Sequence, residues 1–491
     1  MTIFPLLPHE RTPSEHLSHW ATARPMTAWI ETGDQTLTFA NAERMVGQFA
    51  SYLSTIGITE GQVVALDVPP TLHAVLTVSL FRLGALSCQY PRLVAAESFH
   101  CEWLISTAVT ESIVTDHTLY LAAHNISLID ELAPSVAPSP LSTTDPFRLL
   151  FSSGTTGRPK AIAVSAALMD QRGQYSQATR PDSETYFCAM DGSTTAGLRT
   201  LLWCLREGTT YLVPGSGEQN LKLMRHHAVE VATMSPDQMR ALLEAGESAG
   251  EHLPALSTVI YAGSSLDASL ARRFREWFSA QLFTSLGSTE AGIITVRSYD
   301  TDDLTDLGYV ASDLELQIVD ETDSPLPYGT VGLVRYRRPR DPFEYFRDPE
   351  ATHRVFRDGW CYPGDLGELT ESGQLFFRGR ADNVVNVGGV KVDPALYDAV
   401  ALDVIGVTDA AGFTFRDDED VEVLSIAIVT TFGFREQELL DAMAQAFGSR
   451  QPSMVIKVDE IPKTSMGKSI RRELAELVER TLRENSGELN H

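Results

Sequence analysis

Cysteine is scarce in this chain, and its spacing excludes several kinds of site. The five cysteines stand far apart and form no CxxC pair: they are Cys88, Cys101, Cys188, Cys204 and Cys361. Zinc sites and redox motifs use such pairs, so the pattern predicts buried, reduced thiols and no zinc site. The histidines form no HExxH motif either. These absences favour a protein of the reducing cytoplasm.

Positive charge is also in short supply. Lysine and arginine together number 39 against 65 aspartates and glutamates, which gives a net charge of −26. Nucleic acids and anionic membranes attract basic surfaces, so neither is expected as the main partner. Lysine is confined to Lys160, Lys222, Lys391, Lys457, Lys463 and Lys468. Some of these fall in glycine-bearing segments, where a compact charge on a flexible stem can reach a phosphate or carboxylate oxygen.

Long apolar runs are missing as well. The most apolar stretch, residues 72–88, is interrupted by His73 and Arg82, so no membrane span is predicted. The N-terminal residues lack a basic start followed by an apolar core, so no secretory signal is expected. A chain of 491 residues, 43% of them hydrophobic, is long enough for two or three packed domains.

The segment LLFSSGTTGRPKAIAVS at residues 149–165 is the most informative part of the sequence. Glycines let backbone amides approach a ligand closely, hydroxyls add donors, and a lysine adds the charge that a polyphosphate needs. The candidate phosphate-binding residues are Ser152, Ser153, Gly154, Thr155, Thr156, Gly157 and Lys160. No Gly-Lys-Ser/Thr ends this loop, so it is not a Walker A loop. A surface hairpin of turn residues is the alternative.

Strands and helices alternate along most of the chain. Short apolar runs end in small or polar loops at 63–68, 147–154, 229–236, 257–264 and 281–290, with helical patterns between several of them. This alternation predicts a large α/β N-terminal domain of several layered subdomains over residues 1–380. The composition changes near residue 380, and a small α+β C-terminal domain on a hinge is predicted over 381–491.

Four further segments carry residues suited to nucleotide chemistry. Thr289 and Glu290 follow a strand in LGSTE, where a hydroxyl can contact a phosphate and a carboxylate can hold Mg²⁺. The other segments are YAGSS (261–265), YPGD (362–365) and PKTSMGK (462–468), the last of which sits on a loop between the final strand and helix. Each segment alone has a plainer interpretation: LGSTE is more often a helix cap, YAGSS and YPGD are ordinary turns, and PKTSMGK is a surface loop.

Taken together, the order and spacing of these segments resemble the adenylate-forming superfamily of acyl-CoA synthetases, peptide-synthetase adenylation domains and luciferases. The similarity runs along nearly the whole chain: LTF (37–39), FRLGALSCQYP (81–91), SSGTTGRPK, YAGSSL, LGSTE, YPGDLG, FRGRADNVVNVGG and PKTSMGK follow in family order. Such enzymes use ATP and Mg²⁺ to convert a carboxylic acid into acyl-AMP, and then pass the acyl group to a thiol.

The resemblance assigns an expected role to particular residues. The loop from Ser152 to Lys160 would hold the β- and γ-phosphates, Thr289 the α-phosphate and Glu290 the metal. The remaining expected sites are Leu286 and Gly287 beside the nucleotide, Gly263 and Ser264 at adenine, Asp365 and Arg380 at ribose, Lys468 at the reacting carboxylate, Asp382 as hinge, and Gly388 and Gly389 in the thiol tunnel.

The residues expected around the acid favour a substrate without an amino group. The segment MDGS (190–193) is similar to the family's amino-acid-binding motif, but counting back from Gly208 places the binding position at Thr195. A neutral hydroxyl cannot pair with an ammonium group, so a non-amino aryl or aliphatic acid is expected. The expected acyl pocket comprises Thr195, Ala196, Thr233, Ile260, Ala262, Ser285, Ile293 and Ile294, although several of these suit a plain core position. For Arg199, one turn further on, a surface or capping role is expected, with contact to a second carboxylate as the alternative.

The thiol acceptor stays open at this point. The residues after Arg472 are too few for a carrier domain. The acceptor is therefore CoA or the phosphopantetheine of a separate acyl or peptidyl carrier protein. The three hypotheses are an acid–CoA ligase, a stand-alone adenylation enzyme that loads a separate carrier, and a nucleotide-binding protein without catalysis.

Overall fold

The computed structural model describes residues 11–89, 99–108, 115–122, 129, 131–134, 139–152, 160–178, 185–192, 194–263, 266, 268–299, 306–339, 341, 344–381, 385–387, 390–392, 394, 396–416, 422–448, 451–463 and 469–488. Its helices are α1 (Pro13–Ala23), α2 (Phe39–Thr55), α3 (Pro70–Leu83), α4 (Ala166–Ala178), α5 (Thr195–Glu207), α6 (Gly217–His226), α7 (Pro236–Ala249), α8 (Ala268–Phe278), α9 (Pro349–Val355), α10 (Leu396–Leu402), α11 (Glu436–Phe447) and α12 (Arg471–Glu488).

The strands of the first half are β1 (Ala28–Glu31), β2 (Thr36–Thr38), β3 (Val63–Asp67), β4 (Leu86–Gln89), β5 (Cys101–Ser106), β6 (Thr115–Tyr120), β7 (Pro146–Ser152), β8 (Lys160–Ser165), β9 (Tyr186–Cys188), β10 (Tyr211–Leu212), β11 (Val231–Met234) and β12 (Thr258–Tyr261). Those of the second half are β13 (Gln281–Ser288), β14 (Gly292–Ser298), β15 (Asp306–Val310), β16 (Glu315–Val319), β17 (Gly332–Arg337), β18 (Phe356–Arg357), β19 (Trp360–Cys361), β20 (Asp365–Leu369), β21 (Gln374–Arg380), β22 (Val385–Val387), β23 (Val390–Val392), β24 (Val407–Arg416), β25 (Glu422–Thr430) and β26 (Met454–Lys457).

A six-stranded sheet of order β6-β5-β3-β4-β7-β8 forms the first α/β layer. Its strands are parallel except β8, which runs antiparallel to β7. Every residue of β3 is buried, as expected for a parallel strand that is covered on both faces. The run at 63–68 therefore forms the central strand that its continuous apolar character predicts.

A second, twelve-stranded sheet changes from parallel to antiparallel part-way across. Strands β9, β11, β12 and β13 run parallel, and β13 then pairs antiparallel with β14. Helices α6, α7 and α8 cover one face of the parallel part through a shared apolar cluster that includes Met239, Phe274, Ala232 and Val259. Beyond β14 the sheet continues through β15, β21 and β20 with antiparallel pairing.

Local sequence signals explain where the helices begin and end. Ser235 and Gln238 form a capping box at the start of α7, and Gly250 ends that helix in the left-handed conformation. Thr194 caps α5 by accepting a hydrogen bond from the Gly197 amide at 3.1 Å. A Cβ on Gly197 would lie 2.1 Å from the carbonyl oxygen of Asp191, so only glycine lets this helix start pack against the preceding turn.

The elements after Arg380 pack among themselves. Strands β24, β25 and β26 form a three-stranded sheet, and α10, α11 and α12 cover it through two apolar clusters whose members all follow residue 380. This order of strands and helices agrees with the α+β pattern expected for the end of the chain. The short hairpin of β22 and β23 was not predicted. The domain boundary at 380/381 stays a prediction.

Two expectations from composition concern the interior and the membrane. All five cysteines are buried and free, as predicted. Within the described part of the chain, no helix is both long enough and apolar enough to cross a bilayer.

Candidate active site

Three of the predicted segments occupy antiparallel hairpins. Ser152 and Lys160 face each other as the last pair of the β7–β8 hairpin, and phosphate binding by the loop between them stays a prediction. Thr289 and Glu290 lie in the turn between β13 and β14. Asp365 faces Arg380 at the open end of the β20–β21 hairpin, away from its turn. Each of these expected site residues therefore lies on, or directly between, a pair of hydrogen-bonded strands.

Two buried arginines hold the turn that carries Glu290. The guanidinium of Arg172, on α4, donates to the carbonyl oxygens of Thr289 at 3.1 Å and Glu290 at 2.5 Å. Arg338, directly after β17, donates to the carbonyl oxygen of Ala291 and to another in β14. These donors satisfy carbonyls that a tight turn leaves without sheet partners. The backbone of the turn is thereby held in place by hydrogen bonds from Arg172 and Arg338.

The glycines on either side of the turn make this arrangement possible. Gly292 has a positive φ of +67°, and a Cβ there would lie 3.0 Å from the Cδ of Arg172. A Cβ on Gly287 would lie 2.7 Å from the carbonyl oxygen of Gly292. The side chain of Ser288 closes the turn by accepting a hydrogen bond from the Ala291 amide at 3.0 Å.

Tyr345 connects the Glu290 carboxylate to the β7–β8 hairpin. Its hydroxyl donates to Oε1 of Glu290 at 2.8 Å, and Ser152 is a further hydrogen-bond partner of the same hydroxyl. The Nζ of Lys160 lies 5.1 Å from the centre of the Tyr345 ring. The next residue, Phe346, donates its amide to the carbonyl oxygen of Ala161 at 2.7 Å and so fixes the segment against β8. The expected metal carboxylate and the expected phosphate lysine thus belong to one cluster.

Burial shifts the titration of the groups behind this cluster. Loss of solvent raises the pKa of Asp341 to about 6 in spite of its ion pair with Arg172. The same burial lowers the pKa of Arg172. Burial and the neighbouring Glu290 carboxylate raise the pKa of Tyr345, so its hydroxyl stays protonated and donates at neutral pH.

The donor set at Glu290 fits Mg²⁺ that is shared with a phosphate. Among the described residues, no donor reaches the second carboxylate oxygen of Glu290, Oε2. Mg²⁺ is usually held by one or two carboxylates, substrate phosphates and waters rather than by an all-protein cage. The described part of the chain does contain one cluster of three potential metal ligands, but it joins Glu31, His226 and His227 and includes none of the expected site residues.

The Asp365–Arg380 pair forms a second polar centre. Arg380 donates to Oδ1 of Asp365 at 3.0 Å and to the carbonyl oxygen of Pro363 at 2.8 Å. Asp365 also lines a small void together with Leu286 and Tyr336. The Tyr336 hydroxyl in turn lies 3.0 Å from Oγ of Ser288, at the base of the Glu290 turn. The expected ribose residues therefore adjoin the hairpin that carries the expected phosphate and metal residues.

Several residues expected around the acid share one face of the parallel strands. Thr233 and Ile260 are register partners on β11 and β12, and their strand neighbours on the opposite face pack under α6, α7 and α8. Ala262 lies two residues beyond Ile260 and so falls on the same side. The hydroxyl of Tyr186 donates to Oγ1 of Thr233 at 2.7 Å. Thr284 on β13 pairs with Tyr261, and Ser285 is the next residue along that strand.

The remaining expected pocket residues lie on α5 and β14. Thr195 and Ala196 form the first turn of α5 and are half-buried. Ile293 follows Gly292 at the start of β14. Ile294 packs in the apolar core with Leu150, Ile162 and Leu198, the plain core role that the sequence left open.

Arg199 lies differently from its expected position. The residue is only 6% exposed, so the surface role expected for it is wrong. Its stem packs against Gly173 of α4, where a Cβ would lie 3.8 Å from the Cγ of Arg199.

Other expected residues lie outside the described part of the chain. They are Ser153, Gly154, Thr155, Thr156, Gly157, Ser264, Asp382, Gly388, Gly389 and Lys468. Gly263, which precedes Ser264, is described. It follows β12 and has a φ of +102°. The residues on either side of the segment that carries Lys468 are described: Lys463 forms a β-bridge with Ser469.

Comparison with known proteins identifies the family of this chain. A model of the AMP-binding enzyme family matches residues 17–340, which is well over half of the chain. The chain belongs to the AMP-binding enzyme family. This AMP-binding enzyme is 26% identical over 496 residues to the medium/long-chain-fatty-acid–[acyl-carrier-protein] ligase FadD10 of Mycobacterium tuberculosis, covering 90% of this chain and 91% of that protein.

Two further relatives widen the comparison. The AMP-binding enzyme is 26% identical over 489 residues to 4-coumarate–CoA ligase 1 of Petroselinum crispum, covering 90% of this chain and 89% of that protein. Its fold matches that of the O-succinylbenzoate coenzyme A synthetase MenE from Bacillus subtilis in complex with AMP, with a TM-score of 0.80 and 20% identity. That match covers 94% of this chain and 97% of MenE. The predicted superfamily and fold class are confirmed.

Sequence reasoning missed the residues that support the site. Arg172, Arg338, Asp341 and Tyr345 belong to no motif quoted for the resemblance. One signal was available, because Leu168 and Arg172 are four residues apart and share a helix face. A charged residue on the apolar face of a helix indicates a buried ion pair or a hydrogen bond from that side chain to backbone carbonyl oxygens.

Proposed function

We propose that this AMP-binding enzyme activates a carboxylic acid with ATP to give acyl-AMP and pyrophosphate, and then transfers the acyl group to a thiol. The observation that carries the proposal is the link between Glu290 and the neck of the β7–β8 hairpin through Tyr345. It joins a carboxylate suited to Mg²⁺ and a lysine suited to phosphate in one cluster. The family match and the ligases among the relatives support the same reaction.

The first step joins two anions, because a carboxylate attacks the α-phosphate of ATP. The protein's task is therefore to position both groups and to stabilise negative charge as it develops. Lys160 and the loop that it closes bind the β- and γ-phosphates, while Thr289 contacts the α-phosphate. Glu290 would hold Mg²⁺, which would neutralise part of the phosphate charge. No general base is needed, because the acid is already ionised.

The remaining roles complete the proposed site. Gly263 and Ser264 line the adenine site, and the Asp365–Arg380 pair binds the ribose hydroxyls. Lys468 contacts the reacting carboxylate and the α-phosphate. For the second step, the domain from 381 onwards rotates at Asp382, which withdraws Lys468 and brings Gly388 and Gly389 to the thiol path.

The substrate is a carboxylic acid without an α-amino group. Thr195 begins α5 half-buried and neutral, so it offers no carboxylate to an ammonium group. The expected acid-facing residues of β11 and β12, which include Thr233 and Ile260, are uncharged. CoA is the preferred acceptor, and a separate carrier protein is the alternative. Both kinds of acceptor occur in the names of the relatives.

An exchange assay without thiol tests the proposal directly. Radioactive pyrophosphate is incubated with the protein, ATP, Mg²⁺ and a panel of carboxylic acids, and label entering ATP is measured. Exchange that depends on both the acid and Glu290 is expected. CoA or candidate carrier proteins are then added with the best acid to identify the acceptor. The absence of exchange with every acid would support the non-catalytic alternative instead.

A further inference from the structure

Three side chains that can bind a metal ion meet outside the proposed active site. They are Glu31 at the end of β1, His226 at the end of α6 and His227 directly after it. One ligand atom from each lies within 4.8 Å of the other two, and no other group of three in the described part of the chain meets this condition. The closest pair is Oε1 of Glu31 and Nε2 of His227, at 3.0 Å.

The strand side of this group is fixed by a sheet. β1 is the central strand of the three-stranded sheet β10-β1-β2, and Glu31 has Leu212 of β10 and Thr36 of β2 as register partners. The carbonyl oxygen of Glu31 also accepts a hydrogen bond from the Val213 amide at 2.8 Å. The Glu31 side chain is 20% exposed, so the carboxylate is held beside the end of α6 and keeps access to solvent.

The helix side is fixed by the way in which α6 ends. The amide of His227 donates to the carbonyl oxygen of Leu223 at 3.0 Å, and the chain then turns at Ala228, whose φ is +48°. A residue other than glycine rarely adopts this conformation. The hydroxyl of Thr185 donates to the carbonyl oxygen of Ala228 at 2.8 Å and so supports the turn. The backbone that carries the two histidines is therefore well defined.

An ion pair explains only two of the three residues. Glu31 and His227 form such a pair, but His226 adds a second imidazole whose ring centre lies 4.8 Å from that of His227. Among the described residues, no side chain or backbone group forms a hydrogen bond with the ring of His226. The preceding residue, Arg225, pairs with Glu251 at 2.6 Å and so does not compete for Glu31. The third ligand distinguishes this group from a surface ion pair.

Two imidazole nitrogens and one carboxylate oxygen favour Zn²⁺. Imidazole suits zinc and similar transition metals, whereas Mg²⁺ prefers oxygen ligands. Zinc sites with two histidines and one glutamate keep a water molecule in the fourth position. With bonds of about 2.0 Å, the ligand atoms of a tetrahedral site lie about 3.3 Å apart, which is close to the distance between Glu31 and His227. His226 is exposed, so its ring can turn to complete the site.

The electrostatics of this position also favour a cation. The peptide dipoles of α6 place partial negative charge at its C-terminal end, where both histidines lie. The whole chain has a net charge of −26, which attracts cations to its surface.

We propose that Glu31, His226 and His227 bind one Zn²⁺ ion, with water as the fourth ligand. The ion joins β1 of the three-stranded sheet to α6, which packs on the second sheet through Leu221 and Met224. It therefore stabilises the contact between these layers and takes no part in the proposed reaction. The sequence predicted no zinc site, because cysteine pairs and an HExxH motif are missing, but this ligand set uses neither pattern.

Zinc binding is measured on the whole protein after its metals have been removed with EDTA. Zinc chloride is titrated in competition with a chromogenic chelator. The protein should take up one Zn²⁺ per chain, and a tenfold excess of Mg²⁺ should leave that zinc in place. Zinc should also raise the melting temperature, because the ligands are brought together only in the folded protein.

The variant His226→Gln is the most informative, because His226 is exposed and its replacement leaves the pair of Glu31 and His227 in place. Loss of a group that merely supports a metal ligand weakens binding by about 10- to 100-fold, so loss of a ligand should weaken zinc binding at least about tenfold. Without zinc, the variant should melt at the wild-type temperature. The matched control is His100→Gln, since the exposed pair of His100 and Asp116 has no third ligand among the described residues.

Three results would overturn the inference. The first is a wild-type protein that takes no zinc from the chelator. The second is zinc binding by His226→Gln that is as tight as in the wild-type protein and in His100→Gln. The third is displacement of the zinc by Mg²⁺, which would contradict the ligand set. None of these results affects the proposed function, because pyrophosphate exchange tests that function with Mg²⁺ and ATP.

Discussion

The hydroxyl of Tyr345 donates a 2.8 Å hydrogen bond to the carboxylate of Glu290. It orients a side chain whose own turn is held by Arg172 from the backbone side. The carboxylate is thus fixed by three different parts of the chain: β13–β14, α4 and the segment before α9. A metal ligand that is oriented before the substrate binds loses less freedom on binding.

Replacing Tyr345 with phenylalanine should weaken the use of Mg²⁺ and ATP. Loss of a hydrogen bond to a charged group costs about 1.5 kcal/mol, which corresponds to about a tenfold lower kcat/KM for ATP. The Mg²⁺ concentration for half-maximal exchange should rise in parallel. Tyr328→Phe is the control, since Tyr328 is 64% exposed and should have no effect. An unchanged Mg²⁺ requirement in Tyr345→Phe would contradict the assignment of Glu290.

Replacing Arg172 with methionine should destabilise the fold. The change leaves Asp341 buried without its ion-pair partner, a situation that costs about 3 kcal/mol or more of unfolding free energy. Urea denaturation measures the loss, and adding Asp341→Asn should restore part of it. The control Arg273→Met breaks a surface pair with Glu247 and should cost less than about 1 kcal/mol. Equal losses in both variants would show that the buried pair contributes no more to the unfolding free energy than the surface pair does.

The stability of the protein should depend on pH through Asp341. Its pKa is raised to about 6 in the folded protein from an ordinary value of 3.8, so the folded state binds the proton more tightly than the unfolded state. The contribution of Asp341 to the unfolding free energy therefore falls as the pH rises from about 4 to 6, by at most about 3 kcal/mol. The wild-type protein should lose stability relative to Asp341→Asn across this range. The prediction would be refuted if the unfolding free energies of the two proteins changed by the same amount between pH 4 and pH 6.

Replacing Asp365 with asparagine should weaken the recognition of ribose hydroxyls. We expect the wild-type protein to prefer ATP over 2′- and 3′-deoxy-ATP by at least tenfold in kcat/KM, and the variant to lose most of this preference. Glu368→Gln is a close control, because Glu368 pairs with Arg378 at 2.8 Å on the same two strands. A control that lost the preference as strongly as Asp365→Asn would argue against a specific ribose contact.

Replacing Lys468 with alanine should separate the two half-reactions. The variant should lose acyl-AMP formation by at least about 100-fold, the scale of one electrostatic contact in a transition state. It should still transfer the acyl group from a synthetic acyl-adenylate to the thiol. Lys463→Ala is the control, since Lys463 pairs with Asp409 at 2.7 Å within the C-terminal part. Equal loss of both half-reactions would oppose the proposed domain rotation.

The sequence was sufficient to predict the α/β and α+β classes, and the segments assigned to chemistry stay predictions. Glycine, serine and lysine at fixed spacing identify loops, because these residue types are needed where a backbone approaches an anion. The arginines behind the Glu290 turn could not be predicted in this way. Arg338 follows Glu290 by almost fifty residues, and only the sheet of β13, β14 and β17 brings them together. The burial of Arg199 was missed for a similar reason, since its neighbour Gly173 lies on another helix.

The division of the site between two kinds of sheet has a consequence for how the enzyme can evolve. The residues proposed for the phosphates, the metal and the ribose sit on antiparallel hairpins, whereas part of the proposed acid pocket, Thr195, Ala196, Thr233 and Ile260, sits on parallel strands and on the first turn of α5. Substitutions at Thr195 or Thr233 alter none of the hydrogen bonds that hold Glu290 or Asp365. If these positions face the acid as proposed, they can change while the hydrogen bonds that hold Glu290 and Asp365 are kept.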